Sequence, residues 1–305
     1  NFARQGHIAF SYDMAGYNDT NQILHREFGG SKEEDLWGIG VMGLQLWNSI
    51  RSVDFLESLP DVDTKRIGCT GASGGGTQTF LLTAVDNRVK VSAPVNMVSA
   101  HMQGGCNCEN QSHLRLDINN IEIAALMAPR PMFLVSATGD WTCNTPYLEF
   151  PAIQAIYGLY GEADKVATAQ VDAGHNYNRE SREHVYTWFS RWLFGNTDVK
   201  RIKELPFSVE EDKDLLVFHN RKRPSSGIDA GTVKSGLANR SQNELRKLRP
   251  TNRVSVNRIK RQMGTALRHA IGAEFPVDPT ATNMGFNRRD DFLIEKLILG
   301  RSGIE

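Results

Sequence analysis

Arg66-Ile-Gly-Cys-Thr-Gly-Ala-Ser-Gly-Gly-Gly-Thr-Gln-Thr-Phe-Leu-Leu-Thr-Ala-Val85 is the stretch from which the fold can be read. Arg66–Thr70 predicts a short buried strand, and Thr77–Val85 an apolar helix. Between them Gly71–Gly75 fits G-x-S-x-G. In that strand–turn–helix setting a sharp turn lifts the Ser73 hydroxyl above the sheet edge, and small neighbours let the turn close. The helix N-terminus and the Gly74 N–H then face a developing oxyanion. The same residues also suit a glycine-rich turn with an incidental serine, so the companions of Ser73 decide.

Outward from this stretch, strands and helices alternate. His7–Tyr12 reads as a buried strand. Ser31 with Glu34 forms a capping box for a helix expected to run to Ser58, although Gly38, Gly40 and Gly43 weaken its first half. Val89–Val95, Pro131–Ala137 and Ala167–Val171 read as strands. Ile121–Met127, Ala152–Tyr160 and Glu180–Phe194 read as helices, and 99–120 as a polar loop or lid. Alternation of this kind means a mostly parallel sheet with helices on both faces, the α/β class.

An activated serine needs a base, and the base an orienting acid. Asp140 follows the Pro131–Ala137 strand, and His175 follows the next strand in Asp172-Ala-Gly-His175. The order Ser73, Asp140, His175 and the three strand-end positions suit a catalytic triad. Asp172 is the rival acid, and His184 reads as a packing residue of the last helix. Trp141, Tyr177 and Asn178 adjoin the acid and base as candidate substrate-pocket walls. Cys106 and Cys108, flanked by His101 and His113, have a spacing shorter than usual for zinc. They read as a loop thiol pair or a disulfide with Cys143 before they read as a metal site. The expectation is no metal and no cofactor. Cys69 reads as a small core residue.

The chain has 35 basic and 35 acidic residues, but residues 1–199 carry a net −8 and 200–305 a net +8. All five Trp lie before residue 200. Four cysteines in 305 residues exclude a disulfide scaffold, and no apolar run is long enough for a spanning helix. Arg221-Lys-Arg223 and the stretch 246–261 carry no nucleic-acid motif and read as solvated basic chain. One basic helix is expected within Leu245–Gly272 and a strand at 293–299.

Asp61-Val-Asp-Thr-Lys-Arg-Ile-Gly-Cys-Thr-Gly-Ala-Ser73-Gly-Gly-Gly resembles the nucleophile segment of acetyl xylan esterase-like and prolyl-oligopeptidase-like α/β hydrolases. Asp86-Asn-Arg-Val-Lys and Ala128-Pro-Arg-Pro131 resemble the segments that follow it there, over about residues 5–195. The resemblance implies an α/β-hydrolase fold, a serine nucleophile, deacetylation of carbohydrate esters through an acyl-enzyme, and a secreted or periplasmic setting. It makes Ser73, Asp140 and His175 the catalytic residues and Gly74 an oxyanion donor. Two other readings stay open: a prolyl-oligopeptidase-like serine peptidase, and a non-catalytic scaffold with the same fold. The resemblance also implies a strand between the His7 and nucleophile strands that this sequence lacks. Residues 1–198 are therefore expected to be an N-terminally truncated hydrolase domain, weakly active alone. Residues 199–290 read as a loosely structured basic linker, and 291–305 as the start of a second hydrolase-like domain.

Overall fold

The computed structural model describes residues 1–198, 200–273 and 278–301. It divides into two compact units, residues 1–247 and 248–305. In the first, α1 (Lys32–Leu36) and α2 (Val41–Ser58) precede β1 (Ile67–Ala72), α3 (Gly74–Val85), β2 (Val89–Val95), α4 (Asn120–Ala125), β3 (Met132–Gly139), α5 (Glu149–Leu159), β4 (Val166–Gly174) and α6 (Arg179–Phe194). Two further helices follow, α7 (Asp212–Leu215) and α8 (Ala230–Lys247). The second unit holds α9 (Arg253–Ala270) and the strands β5 (Pro279–Arg289) and β6 (Phe292–Arg301).

The first four strands form one parallel sheet in the order β1-β2-β3-β4. Successive side chains leave opposite faces of a strand, so a sheet covered on both sides needs apolar residues throughout. β3 follows this rule. Met132 and Leu134 pack with Phe80 and Leu81 of α3, Ile123 of α4, and Ile153 and Tyr157 of α5. Phe133 and Val135 point the other way, onto Val185, Trp188, Phe189 and Leu193 of α6. The α/β-hydrolase arrangement expected from the sequence is thus present, and its carboxyl edge carries Ser73, Asp140 and His175.

Two local expectations change. The 33–58 helix is interrupted: the Ser31–Glu34 capping box starts α1, but Gly38 adopts φ +65° and Gly40 caps a new helix. His7–Tyr12 forms no ladder. β1 is an edge strand among the described residues, and the segment stays largely exposed, with Ile8 57% and Phe10 42% accessible. Phe10 lies 5.3 Å from Phe55 of α2, Tyr12 shares a 2.6 Å hydrogen bond with Ser49, and the His7 ring lies 4.5 Å from Phe194. The basic helix expected within Leu245–Gly272 is α9, whose N-terminus Asn252 caps with its side chain; α8 precedes it, and Pro250 keeps the two apart.

Residues beyond 200 also belong partly to the first unit. Glu204 is buried and accepts from both Arg182 (2.7 and 2.8 Å) and the Tyr186 hydroxyl (2.8 Å). Lys203 pairs with Glu183 at 2.9 Å, and Lys234 of α8 pairs with Glu34 at 2.5 Å. The compact unit therefore runs to Lys247, past the expected boundary at 198. In the second unit β6 is the expected strand near 293–299, paired antiparallel with β5. Residues 302–305 of the expected further domain lie outside the described residues.

Candidate active site

Ser73 stands between β1 and α3 with φ +56° and ψ −123°, a backbone conformation that L-residues rarely adopt. Two neighbouring glycines make the turn possible. A Cβ on Gly71 would lie 2.6 Å from the Gly75 carbonyl oxygen, and one on Gly76 would lie 2.8 Å from the Val95 oxygen. The Ser73 N–H donates to Val95 at 3.1 Å, which ties the turn to the end of β2. Gly74 opens α3, so its N–H belongs to the first helical turn, where no intrahelical acceptor exists.

Asp140 follows β3 directly, and its side chain is 2% exposed. Oδ1 accepts from the Thr142 N–H (2.7 Å) and hydroxyl (2.5 Å); Oδ2 accepts from His175 Nδ1 at 2.8 Å. The Thr142 hydroxyl also accepts from the Ala137 N–H at 3.0 Å, so the carboxylate is fixed to the strand from which it emerges. With Nδ1–H committed to Asp140, Nε2 of His175 is the nitrogen left to exchange protons.

In strand order β4 lies two strands beyond β2, yet the loop that follows it returns across the sheet. The Asn176 carbonyl accepts from Asn96 Nδ2 at 2.9 Å, just past the end of β2. The Tyr177 hydroxyl meets Thr70 Oγ1 of β1 at 2.8 Å. The loop carrying His175 is thus tethered to the strand that presents Ser73. The Ser73 hydroxyl and the His175 ring make no hydrogen bond to each other; the Nδ1 side of the ring is held by Asp140.

The candidate pocket residues separate. Trp141 lies over His175 with ring centroids 4.3 Å apart and forms a wall beside the base. Tyr177 packs against the α6 side of the core, where burial raises its hydroxyl pKa well above the usual phenol range. Asn178 caps α6, its side chain accepting from the Ser181 N–H at 2.9 Å. These last two position the loop. Asp172 accepts from Thr138 at 2.7 Å instead of from His175. The His184 ring lies 6.0 Å from Phe133, and burial lowers its pKa. Burial pushes the Cys69 thiol up to about 11, in keeping with a packing role.

All four cysteines, Cys143 included, are free thiols, so the alternative of a disulfide with Cys143 is not realised. Cys106 and Cys108 approach His25. Cys108 also lies beside the nucleophile turn: a Cβ on Gly74 would stand 3.4 Å from its sulfur and 3.7 Å from Glu109 Oε1. Reading the sequence missed Thr142, Thr70 and His25. A hydroxyl two residues after a strand-end aspartate is a usable signal for Thr142; the other two are set by tertiary contacts.

No protein-family model matches the chain. "Putative hydrolase YtaP" of Bacillus subtilis (strain 168) is 26% identical over 202 residues, covering 62% of this chain and 66% of that protein. The 4-O-methyl-glucuronoyl methylesterase of Hypocrea jecorina (strain QM6a) is 22% identical over 243 residues, covering 66% of this chain and 52% of that one. Among solved structures, Methylesterase BT1017 superposes with a TM-score of 0.60 at 32% identity, covering 77% of this chain and 53% of that one. The chain thus spans about two thirds of the length of the first relative and about half of the other two. With its parallel sheet, its serine on a strained strand-to-helix turn, and its likeness to these proteins, the chain has the α/β-hydrolase fold.

Proposed function

We propose that the chain is a serine carboxylesterase that cleaves esters of carbohydrates. The observation that carries this reading is the His175–Asp140 pair, 2.8 Å apart, on a loop tethered to the strand that presents Ser73. Ser73 Oγ attacks the ester carbonyl while its proton passes to His175 Nε2, and Asp140 stabilises the imidazolium. The Gly74 N–H is one donor to the tetrahedral oxyanion, aided by the N-terminus of α3. Collapse expels the alcohol, which takes the proton from His175. A water, deprotonated by the same ring, then releases the acid and regenerates Ser73.

The name of the 4-O-methyl-glucuronoyl methylesterase favours methyl esters of sugar acids over acetylated sugars as the substrate, and that of Methylesterase BT1017 agrees on the methyl ester. In the first case methanol leaves and the acyl-enzyme carries the uronate; in the second the acyl group is acetate. A fluorophosphonate probe should label the protein at Ser73 and fail on Ser73→Ala. Ser73→Ala should also lower ester turnover by at least ~10³-fold. Methanol release from methyl glucuronate or methyl galacturonate, set against acetate release from acetylated xylo-oligosaccharide, separates the two substrate classes. Absence of labelling in folded protein would favour the scaffold reading.

A further inference from the structure

We propose that His25, Cys106 and Cys108 bind one zinc ion that braces the loop beside the nucleophile turn. One donor atom from each residue lies within 4.8 Å of the other two, and Cys106 Sγ is 3.3 Å from His25 Nε2. Around a tetrahedral zinc, with Zn–S near 2.3 Å and Zn–N near 2.0 Å, ligand atoms stand roughly 3.5–3.8 Å apart. The cluster is therefore close to metal-binding size before any metal enters.

The surroundings have the character of a built site. His25 Nδ1 lies 2.9 Å from the Ala15 carbonyl. As a donor there it fixes the ring and leaves the Nε2 lone pair facing Cys106, the usual support of a metal-bound imidazole. His25 is only 8% exposed. The Cys-x-Cys turn is held in shape by the buried Glu109 carboxylate, which accepts from the Gly105 N–H (2.7 Å) and the Cys106 N–H (3.0 Å). Zinc would displace two thiol protons to solvent and leave a neutral centre of two thiolates and one imidazole. Thiolate with imidazole is a donor set suited to zinc.

Three protein ligands leave a fourth position for water or a substrate group. The reason to hold a metal here is structural. The segment around His25 is packed by a small cluster of Ala15, Phe28, Ile39, Val41 and Cys108, too few buried side chains to fix a long loop alone. Cys108 in turn abuts Gly74, so a metal clamp would hold the CXC loop against the backbone proposed to face the oxyanion.

The test is the metal content of purified protein, by inductively coupled plasma mass spectrometry and by release to a chromogenic chelator. About one zinc per chain is expected, with a sulfur-to-metal charge-transfer band after cobalt replacement. Cys106→Ser, Cys108→Ser and His25→Gln should each weaken zinc binding by more than ~100-fold, since even supporting residues cost 10–100-fold. Cys143→Ser should bind as the wild type does. In case the variants fold poorly, wild-type protein stripped by chelator should gain about 5 °C or more in Tm when zinc chloride is restored. No zinc with no thermal shift, a copper in its place, or a Cys106–Cys108 disulfide seen as a two-dalton mass loss would each overturn the assignment.

Discussion

Gly71 and Gly75 stand symmetrically about Ser73 in the G-x-S-x-G motif, yet they carry different burdens. A methyl group on Gly71 would collide with backbone atoms of Gly75 at 2.6–2.9 Å, which cannot move without opening the turn. Gly75 has nothing within 4 Å of the same position. Gly71→Ala should therefore cost about 1–3 kcal/mol, the range for forced overpacking, read as a fall in Tm. Gly75→Ala should leave Tm unchanged or raise it slightly, because alanine favours the helix by up to ~1 kcal/mol. Asp140 offers a complementary test of chemistry. Asp140→Asn keeps the shape and removes the charge that orients Nδ1–H of His175. It should lower kcat by up to ~10⁴-fold with little change in Tm, if the site works as proposed.

Among elements, α6 carries the interactions that depend most on protonation. Glu183 is buried against Arg179 (3.0 Å), Lys203 (2.9 Å) and Arg201 (3.4 Å), and accepts from the Glu204 N–H at 3.1 Å. Burial works against its ionised form, yet Lys203, the Glu204 N–H and Arg179 hold its pKa down at about 2. Glu204 is also shifted downward, chiefly by Arg182. A depressed carboxylate gives its full stabilisation above its ordinary range and loses it as pH falls through the folded value. Hydrogen exchange should show residues 200–206 releasing from α6 as pH is lowered from about 4.5 toward 2. Glu183→Gln should release them already at neutral pH, and protection that is flat across this range in the wild type would contradict the mechanism. These anchors were not legible in the sequence. Periodicity and punctuation placed β2 at its bounds, the Ser31 cap, and the strand-end positions of Ser73, Asp140 and His175, because those signals are local. Composition placed a boundary near residue 200 because charge and aromatic content change there. Composition reports what faces solvent, however, and Glu204 faces Arg182.

At the scale of the molecule, the same contacts decide where the hydrolase unit ends. Past residue 198, Glu204 is bonded to Arg182 and Tyr186, Arg4 donates to the Pro206 carbonyl at 2.7 Å, and Asp19 accepts from the Val217 N–H at 2.6 Å. Lys234 meets Glu34, and Ala230, Val233 and Ala238 of α8 pack on the cluster that contains Phe28 and Cys108. Truncation after Lys247 removes none of these, so residues 1–247 should unfold at the temperature of the same unit in the full chain. Truncation after Asp198 removes all of them and leaves Arg182 without its carboxylate and Tyr186 without its acceptor. Charge-assisted hydrogen bonds contribute about 1.5–3 kcal/mol each when buried, and a domain of this size loses about 2–4 °C per kcal/mol, so Tm should fall on the order of 5–10 °C. The shorter chain should also loosen the segment around His25, because α8 covers the cluster on which that segment rests. Differential scanning calorimetry of the two truncations, with hydrogen exchange over residues 13–40, reads both effects. Equal stability of the two would place the end of the unit at 198 and make α8 a bystander.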